Sequence, residues 1–145
     1  LKVPMMINNS TDKLGTPFTV SVDAITTPTG MSVHDRLRTI SVLLDGNSKP
    51  EQLQKPGHLF PLRAKDNLLK ARRGHTEASI ELLRLAGLKE VGVIAELIND
   101  DGTMAKGKDI KLFAKNHNLK IISVEEIYNA AYKEALEISP ISVKN

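Results

Sequence analysis

Between Thr16 and Ala24 apolar and polar side chains alternate, with Phe18, Val20 and Val22 on one side and Thr19, Ser21 and Asp23 on the other. A period of two reads as a half-buried β-strand. The period then lengthens. Ser32 stands three residues before Asp35, as in a capping box, and Val33, Leu37, Ile40 and Leu44 follow at helical spacing. Ser48-Lys49-Pro50-Glu51 predicts a second, shorter helix with proline in its first turn, where a missing N–H is tolerated. His58 to Arg63 is extended, and Pro61 argues for an edge or a strand end. A helix from Thr76 to about Leu85 stops near Gly87. Val91 to Ile98 is a short apolar run of the kind buried on both faces of a sheet, ended by the turn Asn99-Asp100-Asp101-Gly102. A helix around Asp109 to Asn116, a short strand at Leu119 to Ile122 and a helix opened by Ser123 complete the pattern. Strands and helices interleave, which predicts an α/β domain with a mixed or parallel sheet flanked by helices over residues 1–138, and a loose tail over 139–145.

Composition narrows the classes. The 145 residues are 41% apolar and 26% charged, ordinary for one globular domain that buries a core without disulfides or a structural metal. The absence of cysteine excludes disulfide frameworks and cysteine-ligated zinc and favours an intracellular setting, so a cytoplasmic protein is expected. No apolar run approaches the roughly 18 residues of a membrane span. Net charge is +3, yet the basic residues are spread out and aromatics are only 3%, too few for nucleic-acid stacking platforms. Mild basicity suits an anionic small substrate, with no nucleic acid or membrane partner.

Three segments could carry chemistry. Glu96 is a carboxylate inside the apolar run, costly to bury unless paired or set in a cleft, and burial would suit it to general acid or base work. The bland alternative is a strand-edge glutamate in water. Arg72-Arg73-Gly74-His75-Thr76 places a glycine before a helix start, so first-turn N–H groups point at an anion and an arginine adds a fork of donors. This is a phosphate cradle without the Walker or three-glycine nucleotide patterns; an exposed capping segment is its plain counterpart. His58, after Pro56-Gly57 and before a strand, sits at a loop rim, where catalytic bases and ordinary surface histidines are both found. His34 and His117 read as structural. Asp100-Asp101-Gly102 lacks the spacing of a calcium loop. From residues alone the reading stops at an α/β domain with an anion-binding helix start and a His/Glu site.

Taken together, Pro4-Met5-Met6, Asn8-Asn9, Gly15-Thr16 and Phe18-Thr19-Val20, then Thr29-Gly30-Met31-Ser32 with Asp35-Arg36, resemble the 3,4-dihydroxy-2-butanone 4-phosphate synthases of riboflavin biosynthesis. So do Pro56 through Ala64, Arg72 through Ala78, and Glu96-Leu97 with Asn99 through Met104. The resemblance runs from about residue 4 to residue 128 and covers the C-terminal two-thirds of the family's chain. It implies a homodimeric lyase that converts ribulose 5-phosphate into 3,4-dihydroxy-2-butanone 4-phosphate and formate with magnesium or manganese. Carried over by position, it implies His58 and Glu96 as acid–base groups and His75 as a metal ligand. Arg72, Gly74 and Thr76 would hold substrate, with Arg73, His75 and Glu96 counted among the substrate contacts.

Two departures matter. Arg73 stands where the family usually has a small residue. Nothing in the chain corresponds to the family's acidic loop, which supplies the other protein metal ligand, so a partial chain is expected and activity from it alone is not. A non-catalytic, ligand-binding relative is the alternative. A bifunctional form fused to GTP cyclohydrolase II is not expected, because the chain has no cysteine for that enzyme's zinc.

Overall fold

A computed structural model describes residues Leu1–Lys133. The expected tail from 139 onward lies outside the described residues. The chain divides into two compact units, one formed by Leu1–Asp66 with Lys89–Val91, the other by Asn67–Leu88 with the chain from Gly92 onward.

In the first unit β1 (Val22–Ala24) pairs antiparallel with β2 (Leu53–Leu59). Isolated bridges Phe18↔Leu62 and Met5↔Thr19 extend the pairing. The expected mixed or parallel sheet is thus replaced, among the described residues, by two antiparallel strands. The class remains α/β.

The strand pairing is irregular in a useful place. Asp23 pairs with Gln54 while Val22 pairs with Leu59, so Lys55 to His58 are extra residues on β2 opposite one step of β1. The Lys55–Pro56 peptide inside this excursion is cis. An insertion of this kind bends its strand and re-aims the side chains within it.

The alternating segment buries its polar side as well as Val22 of the expected apolar side, which is fully buried. Thr19, Ser21 and Asp23 are buried, whereas Phe18 is 44% exposed. Buried polar groups are tolerated when hydrogen-bonded. Thr19 Oγ1 donates to the Pro61 carbonyl at 2.9 Å, and Ser21 Oγ accepts from the Gly57 N–H at 3.1 Å.

Helix α1 (Val33–Leu44) starts as its cap predicts, with the Ser32 hydroxyl accepting from the Asp35 N–H. Its buried face differs from the expected one. Asp35 and Thr39 are buried, while Val33 and Leu37 are 72% and 54% exposed. The reason is the contact with β1: Thr39 Oγ1 accepts from the Ala24 N–H at 2.9 Å and donates to the Asp35 carbonyl at 3.1 Å. Burial opposes the Asp35 charge, but hydrogen bonds from Ser32 and Thr29, with Arg38 nearby, hold its carboxyl below the ordinary range. The predicted short helix is a single 3-10 turn at Pro50–Gln52.

The second unit is helical. It contains α2 (Leu68–Ala71), α3 (His75–Leu85), α4 (Lys108–Asn116) and α5 (Val124–Tyr132). Leu69, Ala78 and Ile127 are its buried centre, with Val124, Tyr128 and Tyr132 packed around them. The capping box at Ser123 and Glu126 is fully formed and fixes the start of α5. Tyr132 donates a short hydrogen bond to the buried Glu81 carboxylate and ties α5 to α3.

Two expected strands are absent among the described residues. Val91–Leu97 and Leu119–Ile122 take no regular strand, and Val93, Ile94, Leu119 and Ile121 are 75%, 47%, 56% and 56% exposed. An apolar run becomes a sheet strand only when neighbours supply the other half of each backbone hydrogen bond. Such partners appear at the end of the first run, where the Leu97 carbonyl accepts from the Ala105 N–H at 3.0 Å and Ile98 bridges to Met104 across the Asn99–Thr103 turn.

Candidate active site

Two places gather the residues singled out by sequence. The first is in the unit that contains the sheet. The excursion in β2 carries His58 back against Asp23 of β1, and the contact is double. Asp23 Oδ1 accepts from the His58 backbone N–H at 3.0 Å, and Asp23 Oδ2 lies 2.7 Å from His58 Nδ1. The Asp23 side chain is 4% exposed and the His58 side chain 46% exposed, so a buried carboxylate grips a ring whose other end reaches solvent. Among the described residues Nε2 has no protein partner. Gly30, at φ +75°, packs directly on this carboxylate, where a Cβ would fall 2.1 Å from Asp23 Oδ2.

The second place is the start of α3. Gly74 is its N-cap in extended conformation, and no side chain caps the helix. The first-turn N–H groups therefore have no intrahelical acceptor, and the positive end of the helix dipole faces the same way. Arg72 Nη1 donates to the fully buried Glu77 carboxylate at 2.7 Å, which holds the guanidinium over the helix start. A Cβ on Gly74 would sit 2.1 Å from that Nη1, so the ion pair needs glycine there. Thr76 is buried in the first turn and His75 is exposed, with no hydrogen bond to the described residues.

Arg73 turns elsewhere. Its guanidinium lies 3.2 Å from the Tyr128 ring centroid and pairs with Glu125 at 2.8 Å, so both contacts are to α5. Stacked and paired, the larger residue is accommodated by the helix behind the loop.

Glu96 also belongs to the second unit, but the burial expected around it is not found. It is exposed and forms no hydrogen bond or ion pair with the described residues. The turn that follows is well built: Asp101 accepts from the Thr103 side chain and backbone, which keeps its carboxyl below the ordinary range.

The donor set does not complete a magnesium site. No three His, Asp or Glu side chains converge among the described residues. His75 offers one imidazole nitrogen, whereas magnesium seeks about six oxygen ligands and is usually held by carboxylates.

Sequence reasoning missed Asp23 and Glu77. The alternation puts Asp23 on the polar side of a half-buried strand. The signal available was a row of three polar residues, Thr19, Ser21 and Asp23, whose partners sit more than thirty residues away, on β2 or just after it.

Comparison with known proteins decides the family. The model of the 3,4-dihydroxy-2-butanone 4-phosphate synthase family matches residues 1–130. The chain belongs to the 3,4-dihydroxy-2-butanone 4-phosphate synthase family. A synthase of that name from Edwardsiella ictaluri is 45% identical over 138 residues, 94% of this chain and 62% of that protein. The riboflavin biosynthesis protein RibBA of Staphylococcus epidermidis is 48% identical over 139 residues, which make up 96% of this chain and 35% of RibBA. The chain thus spans between about a third and under two-thirds of these relatives. A crystal structure of the Candida albicans synthase aligns with TM-score 0.80 and 45% identity, covering 88% of this chain and 63% of that one. A second synthase structure, in complex with two magnesium ions, aligns with TM-score 0.81 and 36% identity over 92% of this chain and 68% of that one. Among the described residues no helix is long and apolar enough to cross a membrane.

Proposed function

We propose that this chain serves the lyase reaction of its family: ribulose 5-phosphate is enolised, rearranged and cleaved to 3,4-dihydroxy-2-butanone 4-phosphate and formate. Membership of the synthase family carries the reading, and the two candidate places described above support it. At the start of α3, Arg72 and the backbone of Gly74 and Thr76 take the substrate phosphate, since oriented N–H groups and a guanidinium suit an anion. Arg73 backs this loop, and His75 faces the bound sugar phosphate. His58 is the acid–base group of the first unit, and Glu96 is assigned the second such role and a substrate contact. The protein is cytoplasmic and works as a homodimer.

A divalent cation, magnesium or manganese, is part of the proposal because a structural neighbour holds two magnesium ions. His75 is the one donor assigned to it here, and the carboxylates it requires must come from outside the described residues.

The test is formate release from ribulose 5-phosphate with magnesium, for the chain alone and for the chain joined to an acidic-loop segment from a relative. Formate is expected from the joined form only. Formate from neither overturns the synthase reading and leaves a non-catalytic phosphate binder. Comparable release from the chain alone overturns the assignment of missing metal donors.

A further inference from the structure

The family resemblance assigns His58 a role but says nothing of what holds it. In the structure one carboxylate does so twice. Asp23 Oδ1 fixes the His58 main chain at 3.0 Å and Oδ2 approaches the ring Nδ1 at 2.7 Å. Asp23 is 3% exposed, and the other buried acidic residue of its unit, Asp35 at 4%, accepts instead from the Thr29 hydroxyl. A carboxylate is an acceptor only, so a 2.7 Å contact to a neutral imidazole requires the proton to sit on Nδ1. Nε2, at the exposed end of the ring, is then left with its lone pair.

We propose that Asp23 is the positioning residue for His58, fixing the Nδ1–H tautomer and the ring direction so that Nε2 acts as the base. The proposal rests on the lyase reading above for the identity of the substrate. In the step itself, the C–H bond beside the substrate ketone breaks and an N–H bond forms at Nε2. The electron pair of the C–H bond passes into the carbonyl to give the enediolate. The imidazolium that results keeps its Nδ1–H on Asp23, which offsets the new charge without taking the proton.

Three features of the fold serve this arrangement and little else. The extra residues of β2 bring His58 round to β1. The Ser21 hydroxyl accepts from the Gly57 N–H and fixes the residue before it. Gly30, lacking a Cβ, leaves the space that the Asp23 carboxylate fills. A carboxylate placed only for stability would have no need of a half-exposed histidine as its partner, since the backbone N–H alone would satisfy one oxygen.

The experiment combines Asp23→Asn with nitrogen-15 NMR of the histidine rings in the full protein bearing this chain. Asn keeps the shape and can still accept from the His58 N–H, but its amide nitrogen donates toward Nδ1 and favours the opposite tautomer. Above roughly pH 8, where an ordinary imidazole is neutral, the parent is expected to show His58 as Nδ1–H and the variant as Nε2–H. Turnover by the variant should fall on the order of 10²- to 10⁴-fold with KM for ribulose 5-phosphate little changed. A parent His58 in the Nε2–H form overturns the proposal, and this reading needs no variant to fold. A folded variant that switches tautomer yet keeps turnover within about twofold also overturns it. The ring spectra are independent of substrate, so a parent without lyase activity defeats the functional reading and leaves the geometry of the pair separately decided.

Discussion

Gly30 shows how far a single missing atom group reaches. Its φ of +75° belongs to a region that other residues enter only with strain, and the space beside it is occupied by the Asp23 carboxylate. Gly30→Ala is expected to destabilise the protein by about 1–3 kcal/mol, because neither the backbone nor the carboxylate can yield cheaply. It should also loosen the His58 ring. A urea titration checks the first effect; an unchanged midpoint would mean that the Thr29–Gly30 turn is free to move. Residues of this kind were only half legible in the sequence. His58, Arg72, Gly74 and His75 stood out because their neighbours form local motifs. Asp23 did not, because its partners are on another strand, and Glu77 did not, because a buried ion pair leaves no trace in spacing.

Helices were read well and strands poorly, for one physical reason. A helix is closed by neighbours within four residues, so the hydroxyls of Ser32 and Ser123 announced α1 and α5 correctly. A strand depends on a partner that spacing cannot name, and Val91–Ile98 read as a central strand although most of it has none among the described residues. At this scale the tie between α3 and α5 is testable. Burial first, and then the hydrogen bond to Glu81, push the Tyr132 phenol up to about 12 from an ordinary 10.0. A folded-state value above the unfolded one means that the neutral phenol is favoured by folding. The resulting stability is complete below about pH 10 and fades as pH rises toward 12. Tyr132→Phe removes the donor and leaves the buried Glu81 without it, at a cost of about 1–3 kcal/mol near neutrality. Thermal melts of parent and variant from pH 8 upward should therefore converge as alkalinity increases. Parallel curves would show that the hydrogen bond contributes nothing.

For the whole molecule, the prominent fact is the apolar surface left open: Val33 and Leu37 on α1, and Val93, Ile94, Ile98, Leu119, Ile121 and Ile122 in the two extended segments. Exposed apolar residues gathered in short stretches mark surfaces that another chain or segment covers. Light scattering on the 15.9 kDa chain alone is expected to give a mass well above one copy, whereas a clean monomer would show that these residues need no cover. The division into units has a consequence for the order in which the chain is made. The first unit recruits Lys89–Val91, and Lys89 Nζ donates to the Leu44 carbonyl at the end of α1. A nascent chain folds its units as their last residues leave the ribosome. The segment from Asn67 to Leu88, which holds Arg72 and α3, must therefore emerge before the unit that precedes it can close. Helix α3 is synthesised before the unit that precedes it in the chain is finished, and His58 waits for residue 91 before its surroundings are complete.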